Sequence, residues 1–246
     1  MIAEAMSSAL AGTDWVVFGS LAALAGCLAL DETAAAQTWL SQPLPAALLA
    51  GAVAGDPALG LAVGLPLQLA LTMNLPVGQT ITGDVSGAAV AVVGAAAVGG
   101  SRPGWPIAPH DASLTGWLVL GAALLSLAGH PLVQAERRLH LVWMLQGHRT
   151  LRDGRLGRVD AIHGRCLAAG FLRGTLFAGA ALLLVTTVWL PLHAMLPPVA
   201  GAAMAWLPWL AGALGLGAVA ERYGALRHWR WVIGGLACGW LAGVVA

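Results

Sequence analysis

The chain has 246 residues, of which 59% are hydrophobic and 9% charged, with a net charge of +1 and a mean hydropathy of +0.80. Ordinary soluble domains run at roughly 45–50% apolar and about 25% charged, so this composition excludes a soluble globular protein and points to a membrane protein built from helices. Near-neutral charge leaves no global field to draw in nucleic acid.

Taken in order, residues 1–13 read as a short amphipathic lead-in. They carry Glu4 and no basic residue, so the first apolar run is expected to be a permanent segment and not a cleaved signal. Thr13 and Asp14 offer an N-cap for Trp15–Leu30, near the lower limit for a span. Thr33–Leu40 is expected to be helical, with Pro43 and Pro45 breaking it. Leu44–Gly55 is too short to cross a core of about 30 Å, and Ala58–Pro76 is interrupted by Pro66, Gln68 and Asn74. Two interrupted segments in succession point to re-entrant or discontinuous helices around a binding site.

Gly78–Gly83 is a polar connection leading to Asp84. Val85–Gly100, made almost wholly of Ala, Gly and Val, predicts a tightly packed interior helix. Ser101–Ser113 reads as a Pro-rich loop. Thr115–Ala135 is a spanning candidate, Glu136–Arg165 an amphipathic loop that reads as an interfacial helix pair, and Cys166–Leu192 the strongest span. Val199–Ala220 and Trp229–Ala246 complete seven or eight apolar segments. The expected fold is therefore all-α: one polytopic domain over 1–246, with the substrate-binding part in 1–100 and C-terminal helices in 166–246.

All twelve basic residues are Arg, and eight lie between Arg137 and Arg173. The positive-inside rule places the 136–165 stretch in the cytoplasm. Cys27, Cys166 and Cys238 form no CxxC pair and read as small membrane-embedded hydrophobes. The seven His are scattered; only His140 and His148 sit two turns apart, and interfacial or structural roles suit them better than metal binding. No nucleophile elbow, P-loop or dinucleotide fingerprint occurs. The residues thus predict no catalytic group, no metal and no cofactor.

Five of the eleven carboxylates fall between Asp14 and Asp84: Asp14, Asp31, Glu32, Asp56 and Asp84. Gln37, Gln42, Gln68, Asn74 and Gln79 lie among them. A polar group in hydrocarbon costs several kcal/mol unless it is paired or faces water, so this density suggests a polar site at depth. Amides and carboxylates are also the groups that read sugar hydroxyls, which both donate and accept. The structural alternative is that Asp31 and Asp56 cap half-helices and the amides satisfy exposed backbone. An ion-coupled secondary transporter, with Asp31, Asp56 or Asp84 titrating, and a scaffold subunit without a ligand are the competing functional classes.

Leu30-Asp31-Glu32, the Leu40-Ser41-Gln42-Pro43-Leu44 run, Ala54-Gly55-Asp56, Gly60, Gly64, Leu67-Gln68-Leu69 and the stretch from Asn74 to Asp84 together resemble the membrane subunit IIC of mannose/fructose/sorbose-type sugar phosphotransferase systems. The likeness covers roughly residues 18–100, and Asp160 to Phe171 with His163 is similar to that family's short loop and following helix. The resemblance implies a multi-pass bacterial inner-membrane permease subunit that pairs with membrane subunit IID in a higher oligomer. It implies cytoplasmic IIA and IIB phosphocarrier subunits as partners, a sugar as ligand and the lipid bilayer as surroundings, with no nucleic acid. Gln68, Asn74 and Asp84 are the hydroxyl-binding candidates it implies, and Gln79 and Asp31, from the polar residues of the 31–84 stretch, complete the substrate-binding candidates. Gly83 stands where the family usually has Pro, Gln42 where a basic residue is common, and Gln68 where many members have Glu.

Overall fold

A computed structural model describes residues 14–33, 35, 37–71, 83–100, 111–154, 157–224, 229–230, 233–235 and 237. Every regular element among them is helical. Asp14 starts the first helix as expected: its Oδ1 accepts from the Val16 N–H at 2.9 Å and the Val17 N–H at 3.3 Å. This α1, Trp15–Thr33, runs past Asp31. The expected helix over Thr33–Leu40 is absent from the described residues of that stretch. Gln37 and Trp39 adopt φ of 51° and 70°, and the loop instead turns around the Asp31 carboxylate.

Pro43 and Pro45 begin a helix rather than break one, because a first turn has no partner for the N–H that proline lacks. α2 is Pro43–Ala54 and α3 is Pro57–Ala70. Between them Gly55 takes φ 89°, a left-handed conformation that suits glycine. The Asp56 side chain caps α3 by accepting from the Leu59 N–H at 2.9 Å. Pro66 is carried inside α3 without ending it; packing against α2 and the last long helix outweighs the lost hydrogen bond.

The two short helices pair antiparallel. A Cβ on Gly60 would strike the Ala47 carbonyl, and one on Gly64 would lie 2.9 Å from the Ala47 Cβ, so bare backbone permits the approach. Residues 72–82, which include Asn74 and Gln79, lie outside the described residues.

α4, Val85–Gly100, occupies the centre, packed against α1, α2, α5 and α6. Ala88 through Val93 are fully buried, as the small-residue run predicts. α5, Ala112–Arg152, is a single helix of 41 residues that carries Pro131 inside it, about 60 Å long at 1.5 Å per residue. The expected boundary at Glu136 is therefore absent. The two helices expected in this stretch are present, but as continuations of the long helices: α5 runs on to Arg152, and α6, Gly157–Leu184, follows. A π-helical turn, Val185–Trp189, links α6 to α7, Leu190–Ala194. α8, Pro198–Tyr223, follows, and most of Trp229–Ala246 lies outside the described residues.

Cross-contacts set the directions. α1 runs antiparallel to α6, with Gly174 against Ala25 and Ala29. α5 also runs antiparallel to α6. At one end Trp117 and Trp189 stack at 4.2 Å between ring centroids and exchange hydrogen bonds, each indole N–H donating to the other residue's carbonyl at 2.8 and 3.1 Å. At the other end Glu136 meets Arg173. That second end also holds the C-terminal end of α1, the start of α4 and both open ends of the α2–α3 hairpin. Among the described residues, four helices are long and apolar enough to cross a membrane: Trp15–Glu32, Ala112–Arg152, Arg158–Ala194 and Pro198–Arg222.

Candidate functional site

Three polar groups gather at this end of the bundle, and each rests on a different element. The deepest is built on α4. Its N-cap, Asp84, is 1% exposed, and its Oδ1 accepts from the Gly87 N–H at 2.8 Å while Ser86 Oγ lies 3.5 Å away. Room for the carboxylate comes from missing side chains: a Cβ on Gly129 would lie 2.8 Å from the Asp84 Cβ.

Arg173 of α6 completes this group. Its Nη1 donates to Asp84 Oδ2 and its Nε to Glu136 Oε2. The side chains of Arg173 and Glu136 are 8% and 6% exposed, so the guanidinium bridges two buried carboxylates on two different helices. His140 Nε2 stands 3.7 Å from Glu136 Oε1 and 3.1 Å from the Cys166 carbonyl. Burying an ion is costly unless it is paired and hydrogen-bonded, and here the pairing joins α4, α5 and α6.

The second group is Asp31. Its Oδ1 accepts from the Thr38 N–H at 2.6 Å and Thr38 Oγ1 at 2.7 Å, and its Oδ2 from the Ser41 N–H at 3.0 Å. One carboxylate thus organises the turn from α1 into α2. Asp31→Ala is expected to cost about 2 kcal/mol, the range for hydrogen bonds to a charged group. Faster hydrogen exchange at the Thr38 and Ser41 amides, with α1 still protected, is the expected readout. Unchanged exchange would mean that the turn holds itself.

The third group closes the open end of the α2–α3 hairpin. Gln68 Nε2 faces Gln42 Oε1 at 3.4 Å, and Gln68 Oε1 accepts from the Leu44 N–H at 3.3 Å. An amide pair of this kind presents both donors and acceptors.

Of the sequence-derived candidates, Gln68, Asp84 and Asp31 therefore sit at one end of the bundle, each with its own partners. Asn74 and Gln79 fall outside the described residues. Asp56 serves as a helix cap, and His163 is exposed on α6. Sequence reasoning missed the pairing of Arg173 with Glu136 and Asp84. The signal is an arginine inside an apolar run, which must pair or face water, while Glu136 reads in sequence as the first of the charged residues that follow it.

No family model matches the chain, and no curated protein matches it.

Proposed function

We propose that the chain is a membrane-embedded sugar permease subunit of a phosphoenolpyruvate-dependent phosphotransferase system, multi-pass in a bacterial inner membrane. The observation that carries this reading is the α2–α3 hairpin. Its helices have 12 and 14 residues, about 18 and 21 Å long, and both open ends lie on the same side of the bundle. That is the form of a re-entrant element, and re-entrant backbone is tolerated at depth only against protein or a wet cavity. The Gln42–Gln68 amides at its mouth, and the likeness of residues 18–100 to the IIC subunit, add support.

In this reading the sugar is held through Gln68, Asn74 and Gln79. Asp84 anchors the start of α4, and Asp31 fixes the hairpin's approach. A cytoplasmic subunit IIB, supplied by IIA, delivers the phosphoryl group, and subunit IID completes the membrane assembly. The added charge of the sugar phosphate breaks a fit made for neutral hydroxyls, so the product leaves inward.

Uptake into vesicles tests the reading. Sugar should accumulate as sugar phosphate, with need of a phosphoryl donor and no sensitivity to uncouplers. Gln68→Ala should lower that uptake by about tenfold, the loss of one to two buried hydrogen bonds, while the protein remains inserted. Unimpaired uptake by Gln68→Ala would remove the residue from the site.

One observation favours a second reading, an ion-coupled transporter. Arg173 with the buried Asp84 and Glu136 is a charge cluster inside an apolar bundle, and such clusters mark ion and proton pathways in membranes. Accumulation of free sugar driven by a proton gradient would select it.

A further inference from the structure

At the end of the bundle away from the Arg173 clasp, α7 is a small piece set between two backbone breaks. The π-helical turn Val185–Trp189 joins it to α6, and such turns are rare and recur at functional sites. Pro191, the second residue of α7, has no N–H to give back to that turn. Pro197 and Pro198 follow on the other side.

Two contacts hold this end to α5. Trp189 stacks on Trp117, and one turn later His193 Nε2 lies 3.0 Å from Ser113 Oγ. Ser113 is in the first turn of α5, where its N–H donates to Asp111 Oδ1 at 3.0 Å. A Cβ on Gly201 would lie 3.4 Å from Ser113 Oγ, so α8 backs the same hydroxyl. His193 is 8% exposed, and its buried Nδ1 meets no partner among the described residues.

This contact suits a neutral ring. A neutral imidazole has one donor and one acceptor nitrogen, so Nε2 can pair with the Ser113 hydroxyl in either tautomer. The cation donates from both nitrogens. Its Nδ1–H would be buried without an acceptor and its charge without an acid, and both are costly. The neighbouring elements offer no ready counter-charge. α3 and α4 carry no ionisable residue, α5 none from Ala112 to Gly129, α6 and the π-helical turn none after Arg173, and α8 none before Glu221. Among the described residues the charge on this side is Asp111, which is exposed and already engaged by the Ser113 amide. Arg102 and His110 lie outside the described residues. The Trp117 ring stands 6.2 Å from the His193 ring between centroids, at the outer limit of about 6 Å for a cation–π contact.

We propose that His193 is a pH-operated latch: neutral, it holds α7 to α5; protonated, it releases α7 to pivot on the π-helical turn. Histidine changes charge between about pH 5 and 8, so the latch is closed at the upper end of that range and open at the lower. The Trp117–Trp189 pair does not titrate, which keeps the pivot in place while the residues beyond it move. The latch stands whether or not the chain carries sugar.

The test is the distance between spin labels at Val16→Cys and Met195→Cys, both exposed positions at the start of α1 and the end of α7. The full chain is used, with its native cysteines replaced by serine, in phosphatidylcholine nanodiscs. One narrow distance is expected at about pH 8. At about pH 5 a displaced second population should hold most of the molecules and revert when the pH is restored. His193→Gln can still pair with Ser113 but does not titrate, so it should keep the single distance at both values. His193→Asn makes the same comparison if the glutamine variant fails to insert. Identical distributions at both values in the parent chain would overturn the proposal, and so would a shift that persists without the imidazole. Labels at Val16→Cys and Leu176→Cys, on α1 and α6, should not respond. A shift there as well would mean that acid loosens the whole bundle, which would overturn the latch too.

Discussion

Arg173→Leu is expected to destabilise the folded protein by about 3–5 kcal/mol, the cost of leaving buried charge without its partner. The substitution keeps much of the side chain's volume, so the loss is electrostatic. Asp84 and Glu136 would remain 1% and 6% exposed on the side-chain scale, with their shared cation gone. Thermal unfolding in detergent, followed through tryptophan fluorescence, measures the effect. The accompanying triple variant Arg173→Leu/Asp84→Asn/Glu136→Gln should recover most of the stability, because it removes the unpaired charges along with the arginine. If Arg173→Leu melted with the parent, the three-helix clasp would have no part in holding α4, α5 and α6 together. The clasp also predicts that Asp84→Asn lowers stability as well as any transport activity, since Asp84 caps α4 and pairs with Arg173 at once.

The second large effect concerns the hairpin. Gly60→Ala adds one methyl group, and that methyl would strike the Ala47 carbonyl, with Leu48 Cα at 3.0 Å. Backbone cannot rotate aside as a side chain can. The expected cost is about 3 kcal/mol, the upper end of ordinary overpacking, accompanied by separation of α2 from α3. Gly217→Ala is the control: nothing lies within 4 Å of its Cβ position. There the better helix propensity of alanine should stabilise by up to about 1 kcal/mol. Equal melting of the two variants would show that α2 and α3 do not rely on their close approach.

The sequence was most readable where a local rule suffices. The composition and the long apolar runs foretold helices able to cross a membrane, because hydrocarbon admits few other backbones. The Asp14 cap and the burial of Val85–Gly100 followed from residue chemistry of the same short range. Boundaries were harder. Thr33–Leu40 has helix-forming residues, yet the Asp31 carboxylate captures the Thr38 and Ser41 N–H groups that a helix would use. Glu136 looks like the start of a solvated loop because Arg137 and Arg138 follow it. On the helix it points the other way, into contact with Arg173.

By itself, then, the sequence determined that the chain is helical and apolar, with its cations gathered on one stretch; hydrophobicity and helix propensity act over a few neighbouring residues and can be read off them. Tertiary structure alone decided that Asp84, Glu136 and Arg173 form one buried unit, drawn from positions 89 and 37 residues apart. It also decided that α5 runs unbroken from Ala112 to Arg152, with α6 antiparallel to it. Both facts depend on which helix faces stand opposite one another, and that choice is made by close packing over the whole bundle.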